Sequence, residues 1–95
     1  MTPLQISERK KLKSAAHHLK PIVQIGQKGL TDTLMKAVDR ALVDHELIKI
    51  KFGDFKEEKR ELSYKIASEL RAEIVGAIGN VVILYRKQTK IGSNK

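Results

Sequence analysis

The chain has 95 residues, of which 41% are hydrophobic and 32% charged, with no cysteine and a formal charge of +8. That length holds one domain, which buries about 60–65% of its unfolded surface and so builds a compact core but no deep substrate cleft. The missing cysteines remove disulfides, thiolate metal sites and thiol nucleophiles, and no apolar run approaches the roughly 20 residues that span a bilayer.

Seven elements follow in chain order. Leu12, Ala15, Ala16 and Leu19 recur at i, i+3, i+4 and i+7, the spacing of a helix with one buried stripe. Pro21 ends it, because the residue before a proline avoids helical geometry. Two starts fit: a cap at Ser7, or Thr2 followed by Pro3 with Gln5 closing a capping box. Pro21-Ile22-Val23-Gln24-Ile25 reads as a short β-branched strand that Gly26 stops. A second helix begins at about Thr31, a good N-cap with Asp32 in the first turn, and holds Leu34, Val38, Ala41, Leu42 and His45 at helical spacing.

Leu47 to Phe52 alternates strictly. Leu47, Lys49 and Lys51 share one face and Ile48, Ile50 and Phe52 the other, which predicts a strand with one buried face that Gly53-Asp54 breaks. Glu57 to Arg71 is a third helix with Leu62, Ile66 and Leu70 inward and Glu57 and Glu61 set against Lys65 outward. Glu73 to Ile78 and Val81 to Arg86 are strands separated only by Gly79-Asn80, a two-residue hairpin signal. Residues 88–95 have little to bury and read as a flexible tail, leaving about 4–87 ordered. The order α-β-α-β-α-β-β predicts a single α/β domain: a four-stranded mixed sheet, parallel through right-handed crossovers, with one antiparallel strand from the hairpin and helices covering it.

The charge is concentrated at the ends of the chain. Residues 1–30 carry six basic side chains against one acid (+5), 84–95 carry four against none (+4), and 31–83 carry nine against ten (−1). A polyanion is the natural partner of such ends, because neutralised phosphates release counterions; the competing reading is that basic ends only keep a small protein soluble. For the charge to act as one surface, the first helix, the glycine loop and the C-terminal end must meet on one face.

The loop Gly26-Gln27-Lys28-Gly29 joins a strand to a helix N-terminus. Glycines let the main chain turn tightly and approach a ligand, the first-turn amides point outward with the positive end of the helix dipole, and Lys28 adds a full charge. A glycine-x-x-glycine loop in this setting is how KH-type modules clamp single strands. Gly76-Ala77-Ile78-Gly79 has the same pattern but no charge and runs from a strand into a hairpin, so its reading is structural. Nucleotide-hydrolysis and dinucleotide fingerprints are absent. His17 and His18 face about 100° apart on a helix and do not chelate one ion together; packing and local polar contacts suit them. Asp54, Glu57 and Glu58 suit a helix start. Four aromatics, Phe52, Phe55, Tyr64 and Tyr85, are too few for a base-stacking sheet, which leaves backbone clamping as the mode. No nucleophile–base pair is recognisably spaced, so no catalytic, metal or cofactor site is expected.

Four ordered blocks, Ala15-Ala16-His17-His18-Leu19-Lys20-Pro21, Gly26-Gln27-Lys28-Gly29-Leu30-Thr31, His45-Glu46-Leu47-Ile48-Lys49-Ile50-Lys51 and Leu84-Tyr85-Arg86, resemble the YhbY family, the stand-alone bacterial form of the CRM (chloroplast RNA splicing and ribosome maturation) domain. The resemblance covers about residues 4–87. It implies a fold similar to the C-terminal domain of translation initiation factor three, RNA binding, association with precursors of the large ribosomal subunit, and no enzymatic activity. It also implies that the glycine loop and nearby basic side chains contact RNA. Many members carry a basic residue directly after the first glycine, where this chain has Gln27 and then Lys28.

The expected RNA-contacting set is therefore Gly26, Gln27, Lys28 and Gly29 in the loop, Arg9, Lys10, Lys13 and Lys20 from the first helix and its end, and Arg86 and Lys87 from the last strand. The expected protein is cytoplasmic and monomeric, with ribosomal RNA of a large-subunit precursor as partner, no membrane and no small-molecule substrate. The first twenty residues show no secretory pattern. A small adaptor whose basic face meets an acidic protein of the translation machinery is the alternative.

Overall fold

The computed structural model describes residues 5–87. It contains α1 (Ile6–Ala16), β1 (Val23–Ile25), α2 (Asp32–His45), β2 (Leu47–Phe52), α3 (Lys59–Leu70), β3 (Glu73–Ile78) and β4 (Val81–Tyr85), the order expected. The start at Thr2-Pro3 and the tail 88–95 lie outside the described residues.

The first helix departs from its expected limits at both ends. Its N-cap is Gln5, whose N–H donates to the Glu8 carboxylate at 3.1 Å, so Ser7 lies inside the helix and is not its cap. It ends at Ala16, well before Pro21. The His17 N–H turns back to the Ser14 carbonyl and the Leu19 N–H to the Ala16 carbonyl, and the Lys49 ammonium then takes the Leu19 carbonyl at 2.9 Å. Leu19 is thus outside the helix and 38% exposed. Helix α2 matches its expected limits, with Thr31 Oγ1 accepting the Leu34 N–H at 3.0 Å. Helix α3 starts at Lys59, after a turn in which the Glu58 N–H bonds the Phe55 carbonyl, and stops where Arg71 turns left-handed at φ 56°.

The sheet order is β1-β2-β4-β3, with β1 and β2 parallel and β4 antiparallel to both of its neighbours. The crossovers through α2 and α3 both advance in the same direction across the sheet. Right-handed connections then place both helices on one face. The packing agrees: Val38, Ala41 and Leu42 from α2 and Ile66 and Ala67 from α3 share one core with Ile48, Ile50 and Phe52 of β2.

The other face belongs to α1, which packs across β3, β2 and β4. Leu12 and Ala16 meet Val75, Ile83, Leu47 and Tyr85 there. Leu47 is therefore covered as well, and β2 is not the one-sided strand that its alternation predicts. A register shift between Ile74 and Gly76 turns two β3 carbonyls toward α1, and the Arg9 guanidinium donates to both, Ile74 and Val75, the second at 3.3 Å. Lys13 stretches over Gly76 so closely that a Cβ there would lie 2.6 Å from its Cε. Gly76 thus lies against α1, while Gly79 takes a left-handed backbone, φ +58°, in the hairpin.

Candidate nucleic-acid interface

Because β1 and β2 are parallel, the loops that follow them emerge at the same end of the sheet. The amides of Gly53 and Asp54 both donate to the Ile25 carbonyl, at 3.0 and 3.1 Å, which holds the two loops side by side. In the first loop the Gly29 N–H closes onto the Gly26 carbonyl at 3.0 Å, and the Gly29 carbonyl accepts from Thr31 at 3.1 Å. Gly29 needs a left-handed backbone, φ +67°, which glycine adopts without a steric penalty. A Cβ on Gly26 would meet nothing within 4 Å, so the space beside it is open to a ligand. Behind the loop stand the first-turn amides of α2, at Asp32 and Thr33, which have no carbonyl one turn earlier to bond. The side chains of Gln27 and Lys28 are exposed. The arrangement suits an anion: open backbone, helix dipole and one exposed cation.

Phe55, to which the sequence pattern alone gave no role, forms one wall of this loop. It is 39% exposed, sits at φ 57° and places its ring edge 3.4–3.6 Å from where a Gly29 Cβ would be. An aromatic residue in the otherwise polar stretch Gly53 to Glu58 was the available signal. Lys51 and Gln24 were missed for another reason. The register pairs Gln24 with Lys51, so both stand on the α1 side of the sheet, on the part that α1 leaves open, next to the glycine loop. The alternation of β2 already put Lys49 and Lys51 on that face.

The expected basic residues divide into two groups. Lys10 and Lys13 on α1 and Lys20 on the way into β1 are exposed and lie with Lys51 on the α1 side of the molecule or at its β1 edge. Lys20 does not touch the loop, since the extended stretch from Ile22 to Gly26 alone spans about 13 Å. Arg9 is committed to the β3 carbonyls and serves as the anchor of α1. Arg86 and Lys87 do not join the glycine loop: β4 runs antiparallel to β2 and carries them to the opposite end of the sheet. There the Arg86 guanidinium bonds Asp39 Oδ1 at 2.7 Å, the Asp39 carbonyl at 3.2 Å and the Leu70 carbonyl at 2.9 Å. The expectation that both basic ends meet on one face fails for the C-terminal end, because the charge of Arg86 is spent on α2 and the end of α3.

His17 and His18 stack edge to face, with ring centroids 5.3 Å apart. Among the described residues no group of three or more His, Asp or Glu is placed to hold a metal ion, and no helix is long and apolar enough to cross a membrane.

The model of the CRS1 / YhbY (CRM) domain matches residues 4–86. The chain is 36% identical over 88 residues to "Probable RNA-binding protein PA4753" of Pseudomonas aeruginosa, covering 92% of this chain and 85% of that one. It is 40% identical over 87 residues to an "RNA-binding protein" of Haemophilus influenzae, covering 90% and 88%. The solution structure of the hypothetical protein SAV1595 from Staphylococcus aureus superposes with a TM-score of 0.79 at 31% identity, over 93% of each chain.

Proposed function

This chain belongs to the CRS1 / YhbY (CRM) domain family, and from that premise we propose that it binds RNA, gripping the phosphate backbone at the Gly26–Gly29 loop. The observation that carries the reading is the open glycine loop at the N-terminus of α2, with Lys28 on it and Lys51 beside it on the basic α1 side of the sheet. Relatives that match most of the chain bear RNA-binding names. Lys10, Lys13 and Lys20 extend the cationic surface and steer the polyanion. Arg9, Arg86 and Lys87 are left out of the contact set, the first two because their guanidinium groups are already engaged and Lys87 because it lies with Arg86 at the far end of the sheet.

The RNA is ribosomal, within precursors of the large ribosomal subunit, and the protein assists assembly there as a cytoplasmic monomer without catalysis of its own. This part rests on the family resemblance of the four sequence blocks. Sedimentation of a cell extract with and without RNase tests it. Co-migration with large-subunit precursors that RNase abolishes is the expected result. RNase-insensitive association assigns the basic face to an acidic protein partner instead.

A further inference from the structure

Ser63 lies on the inner side of α3, only 4% exposed, and its hydroxyl has no hydrogen-bond partner. Buried polar groups in native proteins are nearly always satisfied, and an orphan in a cleft asks for the group that completes it. Ser63 lines a groove of about 310 Å³ between α3 and the strands β3 and β4, of which β3 is the edge strand. Ile74 and Val82 contribute apolar surface to it, while the small side chain of Ala77 leaves it open where a larger one would fill it. Lys59, Arg60 and Tyr64 line the α3 side, with the Arg60 guanidinium 5.9 Å from the centre of the Tyr64 ring. The Lys59 ammonium is held near the hairpin by the Gly79 carbonyl.

Each part matches one part of a nucleotide. The apolar surface and the Tyr64 ring suit the faces of a base, the Ser63 hydroxyl, once turned about its Cα–Cβ bond toward the groove, suits a polar atom on its edge, and Lys59 and Arg60 suit its phosphate. The volume is at the small end of ligand sites and takes one base. A peptide added along β3 fits less well, because Arg9 already occupies the carbonyls of Ile74 and Val75 on that edge strand. We infer that this groove holds a single unstacked nucleobase of the bound RNA, a second recognition point separate from the glycine loop. The inference rests on the RNA-binding reading above. The loop leaves one edge of the sheet and the groove lies at the other, three strand spacings or about 14 Å across, a gap that a few nucleotides bridge.

The test uses the full chain, a short mixed-sequence single-stranded RNA and adenosine 5′-monophosphate, read by amide chemical shifts and by RNA affinity. The Ser63 and Ala77 amides shift with either ligand. Tyr64→Ala, an exposed substitution, and Ala77→Leu, which fills the groove, each weaken RNA binding about tenfold. Ser63→Ala weakens RNA binding while raising the thermal midpoint, because it removes an unpartnered buried hydroxyl; a purely structural serine would leave RNA affinity alone. The inference is overturned if all three variants bind RNA like the wild type while Gly29→Asp does not. It is equally overturned if the groove amides respond to a glutamate-rich peptide and not to RNA. A wild-type chain that binds no RNA removes the RNA-binding reading itself, a result distinct from either.

Discussion

Gly29 offers a substitution pair that separates charge from shape. At φ +67° a side chain costs roughly 1 kcal/mol, with Asn and Asp the most tolerant residues, and the new Cβ just touches the Phe55 ring at 3.4 Å. Gly29→Asn and Gly29→Asp therefore carry a similar backbone cost, which lowers the melting midpoint by about 4–8 °C and leaves the domain folded. Only Asp puts a negative charge where the phosphate is to sit. At about 4 Å two like charges repel by roughly 1 kcal/mol in water and 4 kcal/mol at the dielectric of a protein surface. The upper part of that range applies only if the loop is shielded, so Gly29→Asp is expected to weaken RNA binding at least tenfold and Gly29→Asn less than threefold. Filter binding across a salt series, with thermal melts as a folding control, reads both. For every phosphate that is no longer neutralised, the log–log salt dependence also flattens by about 0.7 for a single strand. Equal, wild-type-like affinity of the two folded variants refutes the loop as the phosphate site.

Three further outcomes follow from the same geometry. Replacing Lys20 and Lys28 together by Glu weakens RNA binding at least tenfold without unfolding, as both side chains are exposed; unchanged filter binding removes them from the interface. Arg86→Ala acts on stability, because it deletes three hydrogen bonds to Asp39 and Leu70: a loss of about 1–3 kcal/mol in a denaturant titration is expected, with RNA affinity within twofold of wild type. Burial raises the Tyr85 phenol above its ordinary 10.0, with Glu46 and Glu8 adding to the effect. The fold favours the neutral phenol, so that contribution is complete below pH 10 and is lost as the pH climbs through the raised value. Ultraviolet titration of the two tyrosines resolves a later step for Tyr85, which Tyr85→Phe removes.

Where local chemistry decides, the sequence was a good guide. Thr31 has the hydroxyl that caps α2, the alternation of Leu47 to Phe52 is the pleat of β2, and Gly79-Asn80 is the hairpin. Where a tertiary partner decides, it was not. The end of α1 is fixed by a chain reversal that Lys49 secures, and the spacing of Leu19 carries no trace of it. Leu47 looks solvent-facing until α1 is laid over it. The same limit applies to charge. Arg9 and Arg86 read as free cations, yet one binds strand carbonyls displaced by a bulge and the other an aspartate 47 positions away. The glycine loop was legible because its glycines, its lysine and the helix start behind it are contiguous. Its neighbours Phe55, Lys51 and Gln24 reach it only through the parallel pairing of β1 and β2.

The central claim is that RNA meets the glycine loop and the open strip of sheet beside it. An amide chemical-shift map of the full chain titrated with single-stranded RNA tests this most directly. The account predicts that the largest changes fall on Gly26 to Thr31 and on Lys51. Changes confined to the outer face of α2, around Arg40 and Asp44, or an unchanged spectrum at saturating RNA, contradict it.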